Sequence, residues 1–167
     1  MSDPSTRERA RLTLRHAGIA DIPAIVALSE RVYGRDNGYT AEMLNGQIAQ
    51  FPQGVFVAFY DGVAVGYCGT FRIDERTAMA PHRWLEISGG GYASRHLSTG
   101  DWLYGMEVCV DPDHRRRRIG RRLYELRKRL CQELRLKGIV FGGRLPGFSR
   151  RARAYRGDVR AYVADVC

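Results

Sequence analysis

The sequence lacks any apolar run that approaches the ~20 residues of a membrane-spanning helix. Its first residues, MSDPSTRERARL, are polar and contain no apolar segment of a secretory signal peptide. The four cysteines show neither CxxC spacing nor the density of a disulfide scaffold, which favours reduced thiols. These absences argue against a membrane-bound or secreted protein and predict a cytoplasmic location.

The four histidines lack the spacing of a metal site, so no metal is predicted. Acidic residues are also few, with 18 Asp and Glu against 27 Lys and Arg, and the net charge of +9 comes almost wholly from arginine. Such a balance favours polyanions or phosphorylated ligands. Aromatic residues hardly enter the main basic run, where only Tyr124 is found, so the pattern of a single-strand nucleic-acid binder is missing.

With 167 residues, 44% of them hydrophobic, the chain suits one globular domain with a real core. Hydrophobic periodicity and turn residues predict an ordered set of elements. They are a strand over 12–16, a helix from Asp21 to Gly34, a helix over 40–50, a hairpin turning at Asp61-Gly62, a partly extended loop over 74–102, a strand over 103–110, a helix over about 117–136, and a strand over 139–143. This order predicts an α/β domain with a mixed sheet, in which the wholly apolar last strand occupies a buried central position.

One stretch carries most of the functional information. Residues 107–123 read EVCVDPDHRRRRIGRRL, which joins a strand to a proline turn, four arginines and an amphipathic helix. Backbone N–H groups at a helix N-terminus suit a phosphate or pyrophosphate, and guanidinium groups add charge-assisted bonds. The stretch therefore predicts an anion site, although a charge run at a helix start is also typical of a solvated face.

The run from Val110 to Gly120, VDPDHRRRRIG, resembles the acetyl-CoA-binding motif of the GNAT superfamily of N-acetyltransferases. That motif is a strand ending in V-x-P, then [QR]-x-x-G-x-[GA], then a helix. Arg115 matches its leading residue and Gly120 its last glycine, whereas Arg118 stands where the first glycine is usual. The predicted element order matches the same fold through the fifth strand.

A closer resemblance covers residues 84–148, through WLEISGGGYASRH, GDWLYGMEVCVDP, RRLYELRKRLCQEL and GGRLPGF. These segments are similar to the GNAT domain fused ahead of a carbon-nitrogen hydrolase domain in some bacterial proteins. The resemblance implies a GNAT-like mixed central sheet flanked by helices, with the usual C-terminal strands missing. We expect a flexible leader over 1–11 and an acyl-CoA-binding domain over 12–167, which is either truncated or completed by a homodimer or hydrolase partner.

The resemblance also implies where acetyl-CoA, the cosubstrate, would bind. The backbone of Val108, Cys109 and Val110 would pair with its pantetheine arm, and the amides that follow would hold its pyrophosphate. The remaining cofactor-binding residues implied are Arg115, Arg116, Arg117, Arg118, Ile119, Gly120 and Arg121.

Catalysis needs a group that removes a proton from the acceptor amine. Glu107 is the carboxylate on the strand, with an ion pair to an arginine as the alternative role. Tyr104 occupies the position, six residues before Val110, that often holds the base in this superfamily, with simple packing as the alternative. A nucleophilic Cys–His pair with His82, His96 or His114 is supported by no local sequence motif. Arg144, just after the last strand, would contact the substrate, the cosubstrate or a nearby carboxylate.

The sequence therefore predicts an enzyme that transfers an acetyl group from acetyl-CoA directly to a small-molecule or peptide amine. The alternatives are a non-catalytic acyl-CoA-binding or regulatory domain and a basic nucleic-acid-binding module.

Overall fold

A computed structural model describes residues 11–143, 145 and 147–166 and places a mixed sheet between helices. The strands in these ranges are β1 (Leu12–His16), β2 (Val55–Tyr60), β3 (Val63–Ile73), β4 (Trp102–Val110) and β5 (Gly138–Phe141). The α-helices are α1 (Ile22–Tyr33), α2 (Ala41–Gln50), α3 (Glu75–Met79), α4 (Trp84–Ile87), α5 (Ile119–Glu133), α6 (Phe148–Arg151) and α7 (Val159–Val166). None of these helices is long and apolar enough to cross a membrane.

The sheet follows chain order from β1 to β5. The first four strands pair antiparallel, and β4 pairs parallel with β5 because α5 crosses over between them. Asp61 and Gly62 turn the β2–β3 hairpin with φ angles of 48° and 81°, as a tight hairpin turn requires. The predicted mixed sheet flanked by helices is confirmed.

Two apolar clusters hold the helices against opposite faces of the sheet. Helices α1 and α2 bury Ile25, Leu28 and Leu44 completely against one face. Helix α5 buries Ile119 and Leu123 against the other. Full burial of such a side chain contributes roughly 1.5–3 kcal/mol, so this packing fixes the orientation of α5 behind β4.

The sequence predicted a central position for the last strand. In the structure, however, β5 forms an edge of the described sheet. The described β5 pairs only with β4, and the side chain of Phe141 is 51% exposed. Its apolar residues Ile139 and Val140 pack against the apolar cluster that includes the buried residues of α5. An apolar run of this length is compatible with either position in a sheet.

The chain beyond β5 contains helices in its described part. Helix α7 buries Tyr162, whose ring packs against those of Phe148 and Tyr155. No strand follows β5 among residues 142–143, 145 and 147–166. The predicted leader falls almost wholly on residues 1–10, which lie outside the described residues.

Candidate active site

Strands β4 and β5 separate halfway along β4. They pair only from Trp102 with Gly138 to Gly105 with Phe141, and we call this last pair the vertex. Met106 is an extra residue in β4, because the register with β3 shifts there. Beyond it, residues 106–110 face no described strand on that side, so their backbone groups can pair with an extended polar ligand.

A cleft of about 670 Å³ occupies this gap, and we call it the first cleft. Its volume falls in the range of ordinary ligand sites. Its polar lining residues are Tyr33, His82, Trp84, Tyr104, Glu107, Tyr124 and Arg127. These include several groups that can move a proton or stabilise charge, so the first cleft is the candidate site of chemistry.

The arginine loop, residues 111–118, connects β4 to α5. Helix α5 begins at Ile119 with no side-chain hydrogen bond capping its first amides and no acidic residue in its first turn. A Cβ added at Gly120 would meet only a Val110 methyl group, at 3.7 Å, so the space above these amides is open. The loop therefore presents a bare helix N-terminus where the free edge of β4 ends.

The four arginines of the loop are exposed, but they are not equivalent. Arg117 donates to the Tyr60 hydroxyl at 2.8 Å and lies over its ring. Among the described residues, no carboxylate lies within 4.0 Å of Arg115, Arg116 or Arg118. Their charge is thus available to an anionic ligand.

Arg116 and Arg118 both adopt the left-handed conformation, with φ angles of 63° and 61°. The loop therefore keeps a backbone shape that favours glycine, even though arginine stands at position 118. A non-glycine residue in this region carries a strain of about 1 kcal/mol or more. An arginine held here at that cost is consistent with a role for its side chain.

We expect Arg118→Gly to raise the free energy of unfolding by about 1 kcal/mol in the absence of ligand, because relief of strain exceeds the added flexibility of the unfolded chain. Urea unfolding measures this. Arg115→Gly is the matched control, since Arg115 has φ −62° and the same charge is lost. Equal destabilisation by both substitutions would contradict the strain at Arg118.

Asp111 fixes the start of the loop. Its buried carboxylate pairs with the Arg31 guanidinium at 2.8 Å and accepts the backbone N–H of Asp113 at 3.0 Å. Burial opposes the charged form of Asp111, but these bonds outweigh it and hold its pKa below the ordinary value. The same Arg31 donates to the carbonyl oxygen of Ala64, which ties the loop to α1 and β3.

The Glu107 carboxylate is held by tyrosines. It accepts hydrogen bonds from the Tyr33 hydroxyl at 2.9 Å, from the Tyr39 hydroxyl at 3.4 Å and from the backbone N–H of Val108. No arginine lies within 4.0 Å of it in the described part of the chain. These hydrogen bonds fix the orientation of the carboxylate beside the first cleft, which Glu107 lines.

Tyr104 is buried, and its hydroxyl lies 3.2 Å from Nε2 of His82. The two rings meet edge to face with centroids 5.4 Å apart, and Tyr104 also packs on Phe71. Burial raises the pKa of Tyr104. The sequence did not predict that His82 partners Tyr104, because the two residues belong to different elements and share no local pattern.

Arg127 is the second residue of the site that sequence reasoning missed. It extends from α5 to the vertex, is 1% exposed, and donates to the carbonyl oxygen of Glu107 at 2.8 Å. Its Nε has no partner, and no described carboxylate lies within 4.0 Å. One signal was available, since position 127 lies on the same helical stripe as Leu123 and Leu130.

The long connection between β3 and β4 folds over the site. The Trp84 indole donates to the carbonyl oxygen of Met106 at 3.0 Å. Gln47 of α2 donates to the carbonyl oxygen of Gly91, and Gly89 to Gly91 all have positive φ angles. The glycine-rich segment is thus held against α2.

The other predicted residues take the following places. Val108, Cys109 and Val110 lie on the free part of β4, and Arg121 is exposed on α5. Burial raises the pKa of the Cys109 thiol, which disfavours a nucleophilic thiolate. Arg144 lies outside the described residues, and within them no three His, Cys, Asp or Glu side chains form a group that could hold a metal ion.

The pattern of the acetyltransferase (GNAT) family matches residues 25–155. The chain belongs to the GNAT family. It is 34% identical to the probable hydrolase YhcX of Bacillus subtilis over 96% of its length but spans only 31% of YhcX. It is also 25% identical to the uncharacterized N-acetyltransferase YkwB of Bacillus subtilis, covering 96% of this chain and 72% of YkwB.

A solved GNAT structure shares the fold. The GNAT-like decarboxylase GphF, in complex with isobutyryl-CoA, superposes with a TM-score of 0.78 and 25% identity, covering 92% of this chain and 76% of GphF. The predicted family and fold are therefore confirmed. Partnership with a hydrolase and a homodimer remain predictions.

Proposed function

We propose that this GNAT domain uses acetyl-CoA to acetylate an amine by direct transfer. One observation carries the proposal: the free edge of β4 runs from the vertex straight into a bare, arginine-flanked helix N-terminus. A ligand with an anionic end and an extended polar arm matches this arrangement. Bound acetyl-CoA supplies the activated thioester.

The chain's own groups divide between binding and chemistry. The amides and arginines of 115–121 would hold the pyrophosphate, and the backbone of 108–110 would pair with the pantetheine arm. The acyl end would then lie near the vertex, beside Gly105 and Met106. The first cleft is lined there by Glu107, which directly follows Met106, and by Arg127, which donates to the carbonyl oxygen of Glu107.

Arg127 would act there through its positive charge. A Cβ added at Gly105 would lie 2.6 Å from Nη1 of Arg127, so the guanidinium packs directly behind the vertex. A buried cation without a paired carboxylate is costly unless it meets negative charge. Negative charge that develops on the thioester oxygen during acyl transfer would satisfy it.

Acetyl-CoA at 100 times its dissociation constant should stabilise the folded protein by roughly 2.7 kcal/mol. Thermal unfolding with and without acetyl-CoA tests this. Gly120→Trp should abolish the shift by filling the space above the amides, whereas Gly120→Ala adds only the tolerated Cβ and should keep most of it. An unchanged shift in Gly120→Trp would contradict the amide site.

Transfer itself is tested by release of the CoA thiol in the presence of a panel of amines. Stabilisation by acetyl-CoA together with amine-dependent thiol release supports the proposal. Stabilisation without thiol release favours the non-catalytic acyl-CoA-binding domain. No stabilisation at all rejects both functions.

A second candidate function is decarboxylation of an acyl-CoA that carries a carboxylate. The similarity to GphF, which is named a decarboxylase, favours it, and the uncompensated charge of Arg127 suits an anionic acyl group. Conversion of malonyl-CoA to acetyl-CoA and carbon dioxide without any amine, followed by mass spectrometry, distinguishes it from acetyl transfer.

A further inference from the structure

A second cleft of about 600 Å³ lies beside the first. Helix α3 and the connection between β3 and β4 form it, with Thr77, Pro81, Ile87 and Leu97 among its lining residues. Of the described residues that line either cleft, only His82 lines both. A cleft of this size suits a small molecule rather than a protein surface.

The hydrogen bonds of His82 define its tautomer. Nδ1 lies 2.8 Å from the carbonyl oxygen of Ala80, which can only accept, so we assign the imidazole proton to Nδ1. Nε2 then carries a lone pair and accepts the hydroxyl proton of Tyr104 at 3.2 Å. The hydroxyl oxygen of Tyr104 keeps its own lone pairs for a group in the first cleft.

We propose that the acetyl acceptor is a small-molecule amine whose body lies in the second cleft and whose nitrogen passes His82 into the first cleft, where Tyr104 and His82 relay its proton to solvent. This inference rests on the proposed acetyl transfer. As the amine nitrogen bonds to the acetyl carbon, its proton passes to the Tyr104 oxygen, and the Tyr104 proton passes to Nε2 of His82. The carbon–sulfur bond breaks, and the CoA thiolate leaves with the electron pair.

The relay explains why two residues are needed. Burial raises the pKa of Tyr104, which disfavours its phenolate form. Tyr104 therefore accepts the proton of the amine only as it donates its own hydroxyl proton to His82. His82 is exposed and can release that proton to water. His82 receives the proton through Tyr104 and is therefore a positioning and relay residue rather than the group that takes the proton from the amine.

The test begins with His82→Gln, which retains a polar side chain but cannot accept the proton. We expect kcat for amine acetylation to fall by about 10²–10⁴-fold, as for loss of a general base, with the stabilisation by acetyl-CoA unchanged. Added imidazole should restore part of kcat in His82→Ala. The control is His16→Gln, an exposed histidine of β1 outside both clefts. Wild-type kcat in His82→Gln would overturn the relay.

The binding site of the amine is tested separately. Leu97→Trp should narrow the second cleft and raise KM for the amine by about tenfold or more, without changing KM for acetyl-CoA. Unchanged amine KM, or acetylation of peptides but of no small amine in the panel, would overturn this part of the proposal.

A spectroscopic measurement keeps the relay testable if acetyl transfer itself is not found. Nitrogen-15 NMR of the His82 ring should show the proton on Nδ1, and Tyr104→Phe should shift the Nε2 resonance. Failure of every amine to release thiol would reject the proposed function. A proton on Nε2, or no response to Tyr104→Phe, would reject the hydrogen-bonded relay independently.

Discussion

Replacing Arg127 with methionine is expected to lower the rate of acetyl transfer by about 10²–10³-fold while changing the free energy of unfolding little. The rate effect is that of removing one preorganised stabiliser of an oxyanion. The small effect on stability follows because methionine fills most of the space and removes a buried charge that no described carboxylate neutralises. Steady-state kinetics and urea unfolding measure the two quantities.

The matched control for this substitution is Arg122→Met, on the exposed face of the same helix. It should leave both quantities near their wild-type values. Strong destabilisation of Arg127→Met with little loss of rate would instead make Arg127 a structural brace. Its bonds to the carbonyl oxygens of Gly69 and Glu107, which cross the bulge of β4, would then be its role.

Asp111→Asn is expected to reduce the free energy of unfolding by about 2 kcal/mol at neutral pH and to weaken acetyl-CoA binding. Breaking a fully buried ion pair costs more, but the Arg31 side chain is 42% exposed, so solvent screens part of the interaction. Loss of the carboxylate also loosens the turn that aims the arginine loop. Urea unfolding and titration with acetyl-CoA test both effects.

The same substitution predicts a pH dependence. The folded pKa of Asp111 is depressed, so its stabilisation is present above the unfolded pKa of about 3.9 and is lost as pH falls through the folded value. The difference in unfolding free energy between wild type and Asp111→Asn should therefore shrink below about pH 4. Asp113→Asn, an exposed neighbour in the same turn, is the control. A difference that stays constant down to pH 2 would contradict the role of the ion pair.

Local patterns predicted most elements of the fold because hydrophobic periodicity and turn residues are properties of neighbouring positions in the chain. The alternation of apolar and polar residues predicted β1 with its observed bounds of 12–16. The Asp61-Gly62 pair predicted the hairpin between β2 and β3. The apolar stripe gave α5, although the observed helix is shorter, at 119–133. The position of β5 was predicted wrongly, since an apolar run does not reveal which strands lie beside it.

The candidate site also contains a part that the sequence predicted and a part that it did not. The arginine loop is contiguous, so its residues and their likeness to a phosphate-binding motif were readable in order. His82 and Arg127 reach the site from a loop and a helix far along the chain from β4. No spacing rule connects such residues to their partners at Tyr104 and the vertex.

By itself, the sequence determined the family, the order of the main elements and the turn that carries the four arginines, because these depend on neighbours along the chain. The tertiary structure decided how β4 separates from β5, which hydroxyl meets His82, and that Arg127 lies buried without a described carboxylate beside it. These features arise from packing between distant segments, where burial and geometry set the chemistry of each group. That packing turns a binding motif into a candidate active site.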